Sequence, residues 1–240
     1  MKKGTAGGVF LGVICFLASW AWAEATGAKA IFYSGEGPTV MVTPSESPTL
    51  PKVETKTEPK KEKYMGIAYW VELIGKEGQK QRVTTERTFR SGERIRLHLV
   101  SNWDGYLYLI NIGSTGRSHL LFPHPAIAGG NNFVKANTPY EIPYSAYIRF
   151  DENRGEEILL VMLSPTPMAG LISSPDPRTQ ALTTEEADRL TKVAQQRGAK
   201  DLILEVDTAS PQPGSYAVAP LSVLEKGGQM ISLQIKLRHE

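Results

Sequence analysis

The sequence predicts an all-β protein, an antiparallel sandwich or barrel with one helix near its C-terminus. Short apolar runs recur through residues 65–163, separated by turn residues and without a helical period. Residues 94–99 alternate strictly between polar and apolar side chains, which predicts a half-buried strand over residues 94–100. The chain has 22 glycines and 16 prolines, enough for many turns. Several short strands at this spacing favour a sandwich or a barrel.

The chain begins with the features of a secretory signal peptide. Residues 2–3 are basic, residues 9–17 are apolar apart from one glycine, and Ala-Trp-Ala at 21–23 fits a cleavage site. The apolar stretch is shorter than the ~20 residues that a spanning helix needs. We therefore expect cleavage of residues 1–23, export to the periplasm or the outside, and no stable membrane insertion afterwards.

Cysteine and charge exclude several classes of protein. The single cysteine, Cys15, lies inside the leader and follows Ile14, where a lipidation site needs a small residue, so we expect no lipid. Without the leader the chain has no cysteine, which excludes a disulfide scaffold, thiol catalysis and cysteine-based zinc modules. The formal net charge of the whole chain is +2, too small to indicate a nucleic-acid partner.

Residues 24–63 divide into two parts by composition. Residues 24–43 hold two short apolar runs, at 28–33 and 38–43, and each is expected as a possible strand added to a sheet edge. Residues 44–63 combine proline, threonine, lysine and glutamate without apolar periodicity, which predicts a semi-rigid solvated linker. Residues 64–240 are then expected to form the β-sandwich domain.

Strands and turns follow each other through this predicted domain. Turns are indicated by Asn-Trp-Asp-Gly at 102–105, where the Asn and Asp side chains are expected to form Asx-turns, and by glycines at 113–116. Residues 106–112 (YLYLINI) are the most apolar run and are expected to be a central strand. The predicted strands cover residues 65–74, 94–100, 106–112, 119–122, 133–136, 147–150, 157–163, 201–206 and 231–237.

The single predicted helix lies between the last two groups of strands. Thr183 or Thr184 can cap its start, and two glutamates follow at the positive end of the helix dipole. An apolar stripe runs through residues 190–194, and Gly198 ends the pattern.

Residues 69–163 carry a specific combination of short motifs. In order, these motifs are Phe89, Gly92-Glu93, an alternating strand, Asn102-x-Asp104-Gly105-Tyr106, a Leu/Ile-rich strand, a glycine turn, Leu121-Phe122-Pro123, Asn131-Asn132, Ile142-Pro143 and Gly155-Glu156. The combination resembles a bacterial domain family of unknown function, found in secreted and envelope proteins and sometimes joined to kinase-like or caspase-like modules. The resemblance implies an antiparallel immunoglobulin-like β-sandwich. It implies no catalytic residues, because none are established for the family.

Most of these motif residues have a structural interpretation. Phe89, Phe122 and Phe150 are expected in the core. Gly92 and Gly105 suit turn positions with a positive φ.

The sequence contains no established catalytic or metal motif. It has no nucleophile elbow, phosphate-binding loop, HExxH pair or EF-hand loop. A metal site from His98, His119 and His124 is the nearest alternative, but we expect His98 on a solvent face and the other two beside a loop. We therefore predict no enzyme activity, no cofactor and no metal. Residues 86–96 hold four arginines that could meet an acidic partner, but two glutamates interrupt them, so a solvated strand face is expected.

Aromatic residues near loops form the best candidate binding surface. These are Trp103 at a predicted hairpin tip and Tyr140, Tyr144 and Tyr147 around a later loop. The alternative is that the rings cover the open ends of the sandwich. The predicted function is an exported, non-enzymatic module that binds a protein or an envelope polymer. A carbohydrate-binding module of the cell wall or surface is the alternative.

Overall fold

The chain is described here by a computed structural model. The described residues are 27–37, 61–168, 170–172 and 179–240. The predicted leader at 1–23, the apolar run at 38–43 and residues 44–60 of the predicted linker lie outside them. Export and the domain boundaries therefore stay predictions.

The described residues contain three α-helices and fourteen strands. The helices are α1 (Ala28–Ser34), α2 (Thr184–Arg197) and α3 (Leu221–Gly227). The strands are β1 (Tyr64–Ile74), β2 (Lys80–Val83), β3 (Thr88–Phe89), β4 (Arg94–Ser101), β5 (Gly105–Ile112), β6 (Ser118–Phe122), β7 (Phe133–Val134), β8 (Tyr140–Ile142), β9 (Ile148–Arg149), β10 (Gly155–Ser164), β11 (Ala181–Leu182), β12 (Ile203–Asp207), β13 (Gly214–Pro220) and β14 (Ile231–His239).

The strands form two sheets of seven within the described part of the chain. The first sheet has the order β12-β13-β1-β4-β8, with β2 paired to β1 and β9 to β4. The second has the order β11-β6-β5-β10-β14-β3, with β7 paired to β5. Neighbouring strands are antiparallel except β3 and β14, which are parallel. The predicted all-β sandwich is confirmed, and the immunoglobulin-like strand order stays an implication of the resemblance.

The main core lies between the inner faces of the two sheets. Leu107 and Leu109 of β5 point into it, as do alternate residues of β4, which confirms the predicted period of two. Phe89, Phe122 and Phe150 are also buried there, as predicted, and the rings of Phe89 and Phe150 stack with centroids 4.8 Å apart.

Helix α2 adds a layer outside the second sheet. Its predicted start is confirmed: the Thr183 hydroxyl accepts a hydrogen bond from the Glu186 amide (3.2 Å), and the Glu186 carboxylate accepts one from the Thr183 amide (3.0 Å). Leu190 and Ala194 are buried against a cluster that includes Ile110 of β5. Among the described residues, each helix lacks the length or the continuous apolar character of a membrane-spanning segment.

The segment expected as a first added strand is a helix. Ala28, Ile31 and Phe32 of α1 are buried against the outer face of the first sheet, and their spacing of three and four residues is helical. Tyr33 is 71% exposed, and Gly35 ends the helix in the left-handed conformation. The periodicity of six residues is too short to distinguish a strand from a helix. Packing against the sheet therefore selected the helical conformation.

A further helix near the C-terminus, α3, follows β13. Neither element was predicted. Strand β13 lies between β12 and β1, and its GSYAVAP sequence is buried on both faces except at Pro220. Small residues fit there because α1 covers one face and the main core covers the other.

Gly105 is required for close packing rather than for a positive φ. Gly92 has φ 86°, as predicted, whereas Gly105 opens β5 as part of the strand. A Cβ at Gly105 would lie 2.6 Å from Met65 Cε and 2.8 Å from the Ser164 carbonyl oxygen. The glycine therefore lets three strands approach one another.

The polar residues of the β4–β5 turn bind distant backbone instead of closing Asx-turns. The Asn102 side chain accepts a hydrogen bond from the Gly66 amide (2.6 Å) and donates one to the Phe32 carbonyl (3.0 Å). Asp104 accepts one from the Ala136 amide (2.8 Å), which lowers the pKa of its carboxyl. These side chains tie the turn to its surroundings.

Candidate functional site

The candidate site lies on the outer face of the second sheet, where strands β5 and β6 supply Tyr106, Tyr108 and Leu120. Because neighbours on a strand point to opposite faces, Leu107 and Leu109 enter the main core while Tyr106 and Tyr108 face outward. Tyr108 packs against the cluster beneath α2, and the Tyr106 ring meets Phe133 edge-on at 5.2 Å. Two half-buried tyrosines therefore form the floor of the site.

Two connecting segments build its walls. The first is the β6–β7 connection, which begins at Pro123 directly after the buried Phe122. The second follows β10 and places Met168 and Leu171, both only 6% exposed, in the cluster beneath α2. The walls thus continue the apolar layer that holds the helix.

The open space between these walls, called here the outer pocket, has a volume of about 550 Å³. Its lining residues are Tyr106, Tyr108, Leu120, Pro123, Pro125, Gly130, Asn132, Pro167, Met168, Gly170, Leu171, Ile172 and Gln180. None of these residues carries a charge, and most are aliphatic, aromatic or proline. A volume of this size and an apolar lining with a few polar groups are typical of ligand sites.

The polar groups of the outer pocket are hydroxyls and amides. The Tyr108 hydroxyl donates a hydrogen bond to the Met168 carbonyl at 3.5 Å. Burial raises the pKa of the Tyr108 phenol, and its hydrogen bond with the Asn132 side chain acts in the opposite direction. The group therefore stays a neutral donor near neutral pH.

Gln180 enters the outer pocket from a strained backbone conformation. It has φ 54°, in the left-handed region that residues other than glycine rarely adopt. Its side chain is buried, and its carbonyl accepts a hydrogen bond from the Leu120 amide at 2.8 Å. Strain of this kind costs about 1–3 kcal/mol and is concentrated at functional sites.

The four aromatic residues singled out from the sequence lie elsewhere. Trp103 packs against the main core with the Lys63 ammonium 5.7 Å from its ring centre. Tyr140 also packs against that core, edge-on to Phe122 at 5.8 Å. Tyr144 and Tyr147 are 55% and 44% exposed in the β8–β9 connection. The first two therefore pack inward, and only the last two have rings open to a partner.

The histidines considered as metal ligands are also separated. His98 is only 7% exposed, so the expectation of a solvent-facing ring is wrong: it stacks on Trp70 with centroids 5.0 Å apart. Burial lowers the pKa of His98, which keeps the ring neutral near pH 7. His119 lies on β6 of the other sheet and His124 in the connection after it. Within the described residues, no three metal-ligating side chains come together.

Sequence reasoning missed the outer pocket because it treated residues 106–112 as uniformly apolar. The two tyrosines at spacing two were the available signal, since they had to share a face. The walls carry no such signal. They are brought to this face by long-range pairings, such as the Leu120 amide with the Gln180 carbonyl.

Comparison with known proteins gives one finding. Residues 88–167 match the family described as Domain of unknown function (DUF4384). No curated protein and no solved structure matches the chain. The matched segment supplies eight of the thirteen residues of the outer pocket, from Tyr106 to Pro167. A DUF4384 domain of unknown function is therefore found at residues 88–167 of this chain, and it forms most of the candidate site.

Proposed function

We propose that the chain is an exported, non-enzymatic binding module whose outer pocket receives an apolar segment of a partner protein or of another envelope component. The observation that carries this proposal is the uncharged lining of a pocket of about 550 Å³. Displacement of water from apolar surface by a ligand makes the free energy of binding more favourable. The leader-like residues 1–23 support export.

The chemistry of the lining supports binding rather than catalysis. The thirteen lining residues include no serine, cysteine, histidine, aspartate or glutamate. These are the usual nucleophiles and general bases of enzymes. Tyrosine hydroxyls and two amides remain, and they suit the orientation of a bound ligand.

A protein segment is favoured over a glycan for the same pocket. A sugar offers hydroxyls on every edge and needs many polar partners as well as rings to stack on. Here prolines and aliphatic side chains outnumber the polar groups, with Pro123, Pro125 and Pro167 among them. An apolar side chain or proline of a partner leaves fewer polar atoms without hydrogen bonds.

The test places a carboxylate in the outer pocket. Ile172→Asp changes a half-buried lining residue, and Leu204→Asp makes a comparable change at a side chain that is 61% exposed on β12. Envelope extracts are passed over immobilised wild-type and variant chains, and the captured component is identified. We expect capture by wild type and Leu204→Asp, and at least about a hundredfold weaker capture by Ile172→Asp, because a buried unpaired charge costs several kcal/mol.

Two results would contradict the proposal. Equal capture by Ile172→Asp, in a variant whose thermal melting shows that it is folded, would remove the pocket from the binding site. Capture that survives protease treatment of the extract but is abolished by glycan-degrading enzymes would establish the carbohydrate alternative.

A further inference from the structure

The outer face of the first sheet carries a row of cations that only strand pairing brings together. Ile74 of β1 lies opposite Lys80 of β2 on one side and Arg94 of β4 on the other, and Arg94 lies opposite Arg149 of β9. Residues directly opposite in a ladder project from the same face. Ala68, on that same face of β1, lies under α1, so the row occupies the half of the face away from the helix.

The next row adds two arginines and a glutamate. Glu72 lies opposite Arg82 and Arg96, and Glu141 lies close to Arg96. Glu72 contacts Lys80 at 3.2 Å and Arg96 at 3.8 Å, and Glu141 contacts Arg96 at 3.4 Å. Both carboxylates are therefore engaged within these two rows, and the face keeps an excess of positive charge.

Arg94 and Arg149 have no salt-bridge partner in the described part of the chain. Like charges directly opposite each other destabilise a sheet. Arg94 is nevertheless fixed: it donates a hydrogen bond to the Gly75 carbonyl (2.8 Å), and its guanidinium lies 4.8 Å from the centre of the Tyr147 ring. An anion placed between the two guanidinium groups would relieve their repulsion.

The neighbouring arginines are also held in place before any partner arrives. The Arg82 guanidinium lies 3.8 Å from the centre of the Trp70 ring. Arg96 donates a hydrogen bond from Nε to the Ala146 carbonyl at 2.7 Å. Side chains that are ordered already lose less conformational entropy on binding.

The cationic surface does not consist of the same residues as the arginine-rich stretch at 86–96 of the sequence. Arg87 turns away and pairs with Glu93 at 2.8 Å beside β3 of the other sheet. Strands β2 and β9 instead contribute Lys80, Arg82 and Arg149 from outside residues 86–96. The strand face expected to be solvated therefore supplies Arg94 and Arg96, two of the five cations of a larger surface.

We propose that this cationic face, formed by Lys80, Arg82, Arg94, Arg96 and Arg149, docks an acidic segment of a partner protein, with Asp or Glu carboxylates between Arg94 and Arg149. Four of its five cations are arginines, whose planar fork pairs bidentately with carboxylates. Exposed Tyr147 borders the face, with its ring against the Arg94 guanidinium. Arginine and tyrosine together are typical of the energetically dominant residues of protein interfaces.

This surface is separate from the outer pocket. The pocket opens on the outer face of the second sheet, and the cationic face is the outer face of the first, so the whole sandwich lies between them. The proposal therefore stands whether or not the pocket binds a ligand. Ile172→Asp is expected to leave acidic-peptide binding unchanged.

The experiment measures binding of a labelled peptide of alternating Glu and Ser to the purified chain by fluorescence anisotropy. Arg149→Glu is the main variant, because Arg149 is exposed and its loss breaks no ion pair in the described residues. We expect at least about a tenfold loss of affinity, since the variant loses charge-assisted hydrogen bonds and places a like charge beside the carboxylates of the peptide. Arg149→Lys keeps the charge but not the fork and is expected to bind less tightly than wild type. Lys192→Glu, exposed on α2, is the matched control and is expected to bind like wild type.

Several outcomes would overturn the proposal. These are no binding by the wild-type chain, equal losses in Arg149→Glu and Lys192→Glu, or full affinity in Arg149→Lys, which would leave only diffuse charge attraction. If the chain bound phosphatidylglycerol vesicles but not the peptide, the face would be assigned to a membrane surface instead. Unchanged thermal melting of Arg149→Glu separates loss of binding from loss of fold.

Discussion

Replacing Leu109 by alanine tests the position assigned to β5 in the sandwich. Leu109 has no exposed surface and lies mid-strand in the second sheet. It pairs with Val161 of β10 on one side and with Phe122 of β6 on the other, and all three belong to the main core.

The expected loss of stability follows from this enclosure. Leu109→Ala removes three carbon atoms, worth about 0.8 kcal/mol each in transfer free energy, and the remaining cavity adds to that cost. The total is about 2–5 kcal/mol, equivalent to a fall in melting temperature of roughly 5–15 °C for a chain of this size. Leu204→Ala is the matched control, because its side chain is 61% exposed on the edge strand β12. It is expected to cost under about 0.5 kcal/mol.

The assay is thermal unfolding of the two purified variants and the wild type, followed by circular dichroism. A large fall for Leu109→Ala and a negligible one for Leu204→Ala would agree with the structure. If the two variants melted at the same temperature, β5 would not be a central strand and the assigned core would be wrong.

Two further predictions concern local contacts. The Lys29 ammonium beside Asp207, with Ser210, lowers the pKa of the Asp207 carboxyl from 3.8 to about 2, so its stabilising contribution is complete above the ordinary pKa and is lost as the pH falls toward 2. Asp207→Asn should therefore show a shallower fall in melting temperature over that pH range than the wild type, and parallel curves would contradict the assignment. Thr183→Ala removes the α2 capping box and should cost about 1 kcal/mol in urea-induced unfolding, whereas Thr183→Ser should retain most of the stability. Equal losses in the two Thr183 variants would argue against the cap.

Sequence reasoning succeeded where a local pattern had one structural solution. Strict alternation over residues 94–99 predicted β4, and a threonine cap with following glutamates predicted the start of α2. It failed where two periods fitted the same few residues, as in α1, and where small residues gave no period, as in β13. In both cases burial against other parts of the chain selected the structure.

The predictions for the candidate site residues were likewise partly right and partly wrong. Tyr144 and Tyr147 are exposed, but Trp103 and Tyr140 are packed inward, a difference that residue type alone does not indicate. The prediction of a solvent-exposed His98 ring was wrong for a related reason. The alternation placed His98 correctly on the outer face, but only the pairing of β4 with β1 put Trp70 beside it and excluded water.

The sequence by itself determined the fold class, most of the strands, the cap of α2 and the core position of the three phenylalanines, because these depend on periodicity and side-chain chemistry over a few residues. Only the tertiary structure decided which distant strands become neighbours. That pairing places Tyr106 and Tyr108 beneath two connecting segments to form the outer pocket, and it aligns Arg94 with Arg149 on the cationic face. Both surfaces depend on contacts between residues far apart in the chain, and hydrophobic burial together with strand register, rather than local sequence, fixes such contacts.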